Sequence, residues 1–94
     1  MRVARSHTTL QFEKDFLALP KTVKKKAKRK IQFFESDTTY RGLRVHKLKG
    51  ILARFWAFSI DGDYRVIFRF LPNQEAIYYR IGPHDIYGEI ERLF

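Results

Sequence analysis

The sequence predicts an α+β domain with element order β-α-α-β-β-β-α, its two N-terminal helices packed on one face of a mainly antiparallel sheet. Three observations carry this reading. Apolar residues recur at helical spacing up to residue 36, the period changes to two from residue 53, and turn signals divide the second half at Asp61-Gly62 and at "PNQE". Helices first and strands afterwards put the helical pair together on one side, which leaves the other face of the sheet free. Ninety-four residues suffice for one core and not for two, so residues 1–94 are read as a single domain.

Taken in order, "RVARS" at residues 2–6 offers a short, weakly signalled strand. "TTLQFEKDFLALP" reads as a helix with Thr8 at its N-cap and Gln11 completing a capping box. Phe12, Phe16 and Leu19 recur at i, i+4 and i+7 and face the core. Pro20 ends this helix and suits the first turn of the next. The second helix, "KTVKKKAKRKIQFFES", carries Val23, Ala27, Ile31 and Phe34 on one stripe. "DTTYRGLRVHKLKG" reads as a loop. "ARFWAFSI" then alternates Trp56, Phe58 and Ile60 against Phe55, Ala57 and Ser59, with Trp56 and Phe58 read as core. In "DYRVIFRF", Tyr64, Val66, Phe68 and Phe70 take one face, and Arg65, Ile67 and Arg69 the other. "AIYYRIG" is the last strand, Pro83 breaks the sheet, and "HDIYGEIERLF" forms a terminal helix with Ile86, Ile90 and Leu93 inward.

Composition narrows the function. Hydrophobic residues make up 45% of the chain, enough for a folded core. There is no cysteine, which removes disulfides and thiolate metal sites. "MRVARSHTTL" lacks an apolar signal core and no run is long enough to span a bilayer, so a cytoplasmic protein with no membrane partner is expected. Nineteen Lys and Arg against ten Asp and Glu give a net charge of +9. That balance points to a polyanionic partner, with a basic but functionally silent surface as the alternative. On the second helix, Lys24, Lys25, Lys28 and Arg29 repel one another with little acid to offset them. Such a face serves phosphate contacts or solubility alone.

The side chains that could do chemistry are few. His46 precedes the sheet in "RVHKLKG" and His84 follows it in "GPHDIY", so antiparallel hairpins could bring both to one sheet end. Two imidazoles beside an arginine suit RNA cleavage: one removes the 2′-OH proton, the other protonates the leaving 5′-oxygen, and Arg65 stabilises the phosphorane. Equally, His46 is a loop residue and His84 a helix cap. Asp63 is catalytic or a turn residue, and Asp85 belongs to a helix start. Lys47 and Lys49 flank Leu48 and could both face a phosphate backbone. Arg69 extends the cationic face of its strand. Tyr87 stacks on a base or packs under the last helix. No cluster has metal spacing and no phosphate loop is present, so neither metal nor cofactor is expected.

The order of elements, the "LP" between the helices, "HKLKG", "GDYRVIFRF" and "RIGPHDIYGEI" together resemble the RelE/ParE toxin superfamily of bacterial toxin–antitoxin systems, most closely its YafQ/RelE branch. The likeness covers nearly the whole chain and implies the RelE-like microbial RNase fold. Matching the branch's motifs, its histidines fall on His46 and His84, its aspartate on Asp63, its strand arginine on Arg65 and its base-contacting aromatic on Tyr87. The resemblance implies a ribosome-dependent, metal-independent endoribonuclease that cleaves mRNA and inhibits translation. Its implied partners are the ribosome, mRNA and an acidic cognate antitoxin, through which alone operator DNA is reached. Two positions depart from the pattern. Ser59 stands where YafQ relatives carry a further histidine, and Trp56 and Phe58 stand where RelE relatives carry lysines. Two other functions share these features: a ParE-like inhibitor of DNA gyrase, and a catalytically inert basic module binding RNA or an acidic protein. Small toxin-like modules fused to certain bacterial helicases also resemble the "FWAFSIDGDYRVIFRF…GPHDIY" pattern.

Overall fold

Thr9 decides where the first helix begins. Its hydroxyl oxygen accepts from the Phe12 backbone N–H at 3.0 Å and its hydroxyl donates to the Tyr79 carbonyl at 2.8 Å. The expected cap, Thr8, is instead the last residue of strand β1 (Arg5–Thr8), in register with Tyr78. Ladder pairing holds it extended, so the cap moves one residue on. The computed structural model describes residues 1–93. Helix α1 runs Leu10–Leu17 and helix α2 Lys21–Ser36, with Pro20 at the α2 N-cap position. Short 3-10 turns at Arg41–Leu43 and Gly50–Leu52 flank a two-residue strand, β2 (His46–Lys47). Strands β3 (Trp56–Ser59), β4 (Tyr64–Leu71) and β5 (Glu75–Pro83) follow, then helix α3 (Asp85–Glu91).

The sheet order is β1-β5-β4-β3-β2, with β1 parallel to β5 and every other pair antiparallel. β4 is therefore the middle strand. β2 extends the sheet where the sequence suggested only a loop. β5 runs on through Pro83, which pairs with Tyr64 at the strand end, where a missing N–H costs little.

Alternation along the strands divides the apolar residues between two cores. Under α1 and α2, Phe12, Val23, Ala27 and Phe34 meet Phe58, Val66, Phe68 and Tyr78. Phe34 sits at the centre, stacked 4.6 Å from Phe58 and edge-on 4.7 Å from Phe68. The opposite face, expected to be open, is covered. Ile86 and Ile90 of α3, with Leu52 and Phe55, bury Ala57 and Ile67 in a second core. The physical reason is the stripe Ile86/Ile90 itself, which needs an apolar surface and finds Ile67 between the two arginines of β4. Gly82 permits the approach, since a Cβ there would lie 2.9 Å from Ile86 Cγ2. Leu93 does not join this core as expected and is 80% exposed. Phe94, in the same predicted helix, lies outside the described residues.

A bulge in β5 sets where its side chains go. Ile67 pairs with Arg80 and Phe68 with Tyr78, so Tyr79 has no opposite residue. Tyr78 and Ile81 thereby both reach the first core while Tyr79 packs on the second. Arg80 lies between α1 and α3. Its Nε donates to Asp15 Oδ2 at 2.6 Å, and Nη2 donates to Asp15 Oδ1 at 3.1 Å and Glu89 Oε1 at 2.9 Å. Asp15 Oδ2 also accepts from the Ile81 N–H at 3.2 Å. Bonding to Asp15 raises the Arg80 pKa further above its ordinary range, although partial burial opposes this.

Candidate active-site cleft

The β3–β4 connection is built by a carboxylate. Asp61 Oδ1 accepts from the backbone N–H groups of Asp63 at 2.8 Å and Tyr64 at 2.9 Å. Asp61 Oδ2 lies 3.7 Å from Lys26 Nζ, which draws α2 towards the turn. Partial burial is the largest single influence on Asp61 and raises its pKa. The two N–H donors and Lys26 together outweigh it, so the carboxyl is held below its ordinary value. This turn starts β4 so that Arg65 stands between Ser59 of β3 and Gly82 of β5.

Beside it lies a cleft of about 490 Å³ whose polar lining is Lys30, Arg44, His46, Ser59, Asp61 and Arg65. Among the described residues, three cations here face one carboxylate, and that carboxylate is already engaged by the turn. The cleft therefore favours an anion. Arg65 has donors left open. Its Nη2 is 3.4 Å from the Gly62 carbonyl, at the long limit of a hydrogen bond, and its Cζ lies 5.5 Å from the Tyr87 ring centroid. Its Nε is buried and has no hydrogen-bond partner among the described residues. A buried guanidinium donor left unpaired is costly, so a turn of the side chain that gave it an oxyanion acceptor in the cleft would be favourable.

His46 is oriented by the backbone. Its Nδ1 is 2.8 Å from the Arg44 carbonyl oxygen, which can only accept, so Nδ1 carries a proton and Nε2 is the nitrogen turned away from the backbone bond. Arg44 presents that carbonyl from a left-handed conformation, φ 53° and ψ 47°, which costs a non-glycine residue about 1 kcal/mol or more.

Of the residues singled out in the sequence, His46 and Arg65 line this cleft. His84 and Tyr87 attach to it from the far side. The His84 ring meets Tyr87 edge-on at 4.9 Å, and Tyr87 in turn faces Arg65. His84 occupies the N-cap position of α3 but makes no side-chain cap bond. The two histidines do not form a pair or share a row: β3 and β4 lie between their strands, about 14 Å at ~4.8 Å per strand spacing, and His46 is level with Ile67 whereas His84 lies past the row of Tyr64 and Pro83. Asp63 is exposed at the turn tip, and Asp61 holds the turn. Lys24, Lys25, Lys28 and Arg29 lie elsewhere on α2, Arg29 stacking 5.5 Å over Phe33. Lys47 and Lys49 are exposed outside the cleft, and Arg69 lies beyond Ile67 towards the other end of β4. Sequence reasoning did not single out Lys30, Arg44 or Asp61. The spacing of Lys26 and Lys30, one turn apart, was the available signal, but only the packing of α2 shows which face it serves. Among the described residues no group of three or more His, Cys, Asp and Glu could hold a metal ion. No described helix is long and apolar enough to cross a membrane.

No family model matches the sequence, and no curated protein matches it. Solved structures do match the fold. The YoeB/ParE toxin from Agrobacterium tumefaciens superposes with a TM-score of 0.73 at 18% identity, over 85% of this chain and 98% of that one. YafQ from E. coli gives 0.71 at 17% identity, over 87% and 94%. The RelE–RelB complex from Pyrococcus horikoshii gives 0.69 at 22% identity, over 86% and 94%. This chain has the RelE/ParE toxin fold. At such identities the likeness is one of fold, and it agrees with the superfamily that the sequence motifs resemble. The weakly signalled β1 is the edge strand of the sheet, parallel to β5.

Proposed function

We propose that this protein is the toxin of a type II toxin–antitoxin pair and an endoribonuclease that cuts mRNA on the ribosome without a metal ion. The observation that carries the reading is the buried, unpartnered Nε of Arg65 at the wall of a cationic cleft. In this reading the scissile phosphate sits against Arg65. His46 Nε2 takes the proton from the 2′-OH, whose oxygen attacks the phosphorus. The P–O5′ bond breaks as the P–O2′ bond forms, leaving a 2′,3′-cyclic phosphate and a 5′-hydroxyl. The leaving 5′-oxygen takes its proton from water, since His84 stands beyond Tyr87 and outside the cleft. Arg65 meets the charge that builds on the phosphorane, when a preorganised donor contributes most. Ser59, in the position of a further histidine, leaves His46 as the imidazole lining the cleft.

The partner in this reading is an acidic antitoxin, matching the chain's +9 charge. The P. horikoshii neighbour was itself solved as a RelE–RelB complex. The test is incubation of the purified protein with ribosomes programmed with a defined mRNA, followed by mapping of the cut ends. The expected result is cleavage that is undiminished when the protein alone has been treated with EDTA and dialysed beforehand, leaves cyclic-phosphate and 5′-hydroxyl ends, and falls by about two to three decades in Arg65→Ala. Intact mRNA together with loss of gyrase supercoiling would replace this reading with the ParE-like one.

A further inference from the structure

A second cleft, of about 430 Å³, lies on the β2–β3 side of the sheet. Its floor is aromatic: the Trp56 and Phe70 rings meet edge-on at 5.1 Å and 78°. Tyr40 forms one wall and is 45% exposed, its ring packed against the Gly42 backbone, where a Cβ would come within 2.9 Å of Cε2. Arg41 and Arg44 complete the rim, and among the described residues no carboxylate lines the cleft. Arg44 also lines the Arg65 cleft, so the two cavities meet at that residue. The left-handed backbone of Arg44 sets both the carbonyl that orients His46 and the junction between the cavities.

We propose that this slot is a base-binding subsite for single-stranded RNA: it holds a nucleobase next to the nucleotide whose phosphate lies against Arg65. The inference rests on the RNA-cleavage reading above and adds where the strand is gripped. Flat rings offer stacking to any base, and Arg41 and Arg44 offer charge to the flanking phosphates. A cavity of this size falls in the range of small-ligand sites. An acidic peptide would engage the arginines but has no flat face for Tyr40 and Trp56.

Trp56 is the chain's single tryptophan, so its fluorescence reports this slot. The experiment titrates the protein with a labelled 2′-O-methyl RNA hexamer, which cannot be cut, and follows label anisotropy and Trp56 emission together. The expected result is quenching with the same midpoint as anisotropy. Tyr40→Ala should weaken binding by about 5- to 100-fold, the range for removing one stacked base. Gly42→Ala should weaken it too by displacing the Tyr40 ring, and Arg41→Gln should lower the salt slope by about 0.7. Binding seen by anisotropy with Trp56 emission and the Tyr40→Ala midpoint both unchanged overturns the subsite, as does quenching by an acidic peptide but not by RNA. The two readings separate cleanly. Trp56 quenching with uncut mRNA on programmed ribosomes sinks the nuclease and keeps the slot, whereas cleavage with silent Trp56 does the reverse.

Discussion

Arg80 and Arg65 stand on neighbouring strands, close to the same end of the sheet, and their surroundings are opposite. Arg80 has two carboxylates, three hydrogen bonds and a side chain only 16% exposed. Arg65 has one long contact to a carbonyl, an aromatic face and a buried Nε with nothing to bind. A guanidinium held by three hydrogen bonds to two carboxylates fastens elements together, here α1, β5 and α3. One whose donors are left open has its strongest interaction still to make. Residue type does not separate a structural arginine from a functional one; the accounting of its donors does.

The largest effect should come from breaking the satisfied site. Asp15→Ala removes the acceptor of two Arg80 donors and of the Ile81 N–H, leaving a largely buried cation. A drop of about 3–5 kcal/mol in unfolding free energy is expected from urea titration. A drop below about 1 kcal/mol would mean that Glu89 alone suffices and the contrast is weaker than drawn. Arg65→Ala should do the reverse, leaving the unfolding midpoint nearly unchanged while single-turnover cleavage falls by about two to three decades, or ~2.7–4 kcal/mol. Arg65→Lys should recover only part of the rate, because a point charge does not replace the planar fork. Wild-type cleavage by folded Arg65→Ala would assign that arginine to the surface or to a partner.

Smaller effects sharpen the boundary of the cleft. Replacing Lys24, Lys25, Lys28 and Arg29 by Gln tests whether the rest of α2 meets rRNA. Each phosphate that these side chains neutralise should add about 0.7–0.9 to the slope of log affinity against log salt, so the quadruple variant should show a shallower slope. An unchanged slope would confine binding to the side of Lys26 and Lys30. The smallest effect concerns Asp61, whose folded-state pKa lies below its ordinary 3.8. Its ionised form therefore adds stability in full above that value, and the contribution disappears as pH falls through the lower folded pKa. Asp61→Asn should flatten that part of the acid-unfolding curve, and an identical curve would show that the turn stands without the charge.

Much of the fold was legible because it is written in local periods. The α2 stripe and its bounds emerged intact from Val23, Ala27, Ile31 and Phe34, and β4 from its alternation. Two residues are too few to show a period, so β2 was hidden in a loop although His46 sits on it. The covered sheet face was missed because Ile67, flanked by arginines, reads as solvent-facing until Ile86 and Ile90 are placed above it. The candidate site was half legible. His46 and Arg65 are visible by chemistry, whereas Lys30 and Arg44 are cations among many, chosen by packing alone. The Arg80–Asp15 pair joins residues 65 apart and leaves no trace in any local window.

The parallel pairing of β1 with β5 carries a consequence for the birth of the molecule. His7 and Glu75, bonded across those strands, lie 68 residues apart, so β1 waits as an unpaired ribbon until β5 has been made. Synthesis runs from the N-terminus, and non-local strand pairing is slow because loop closure precedes any gain from contact. Arg65 gains its neighbour Gly82 only when β5 has formed, and α3, which brings Tyr87 to it, comes later still. In a nascent chain the cleft therefore stays unassembled until β5 and α3 have both been made.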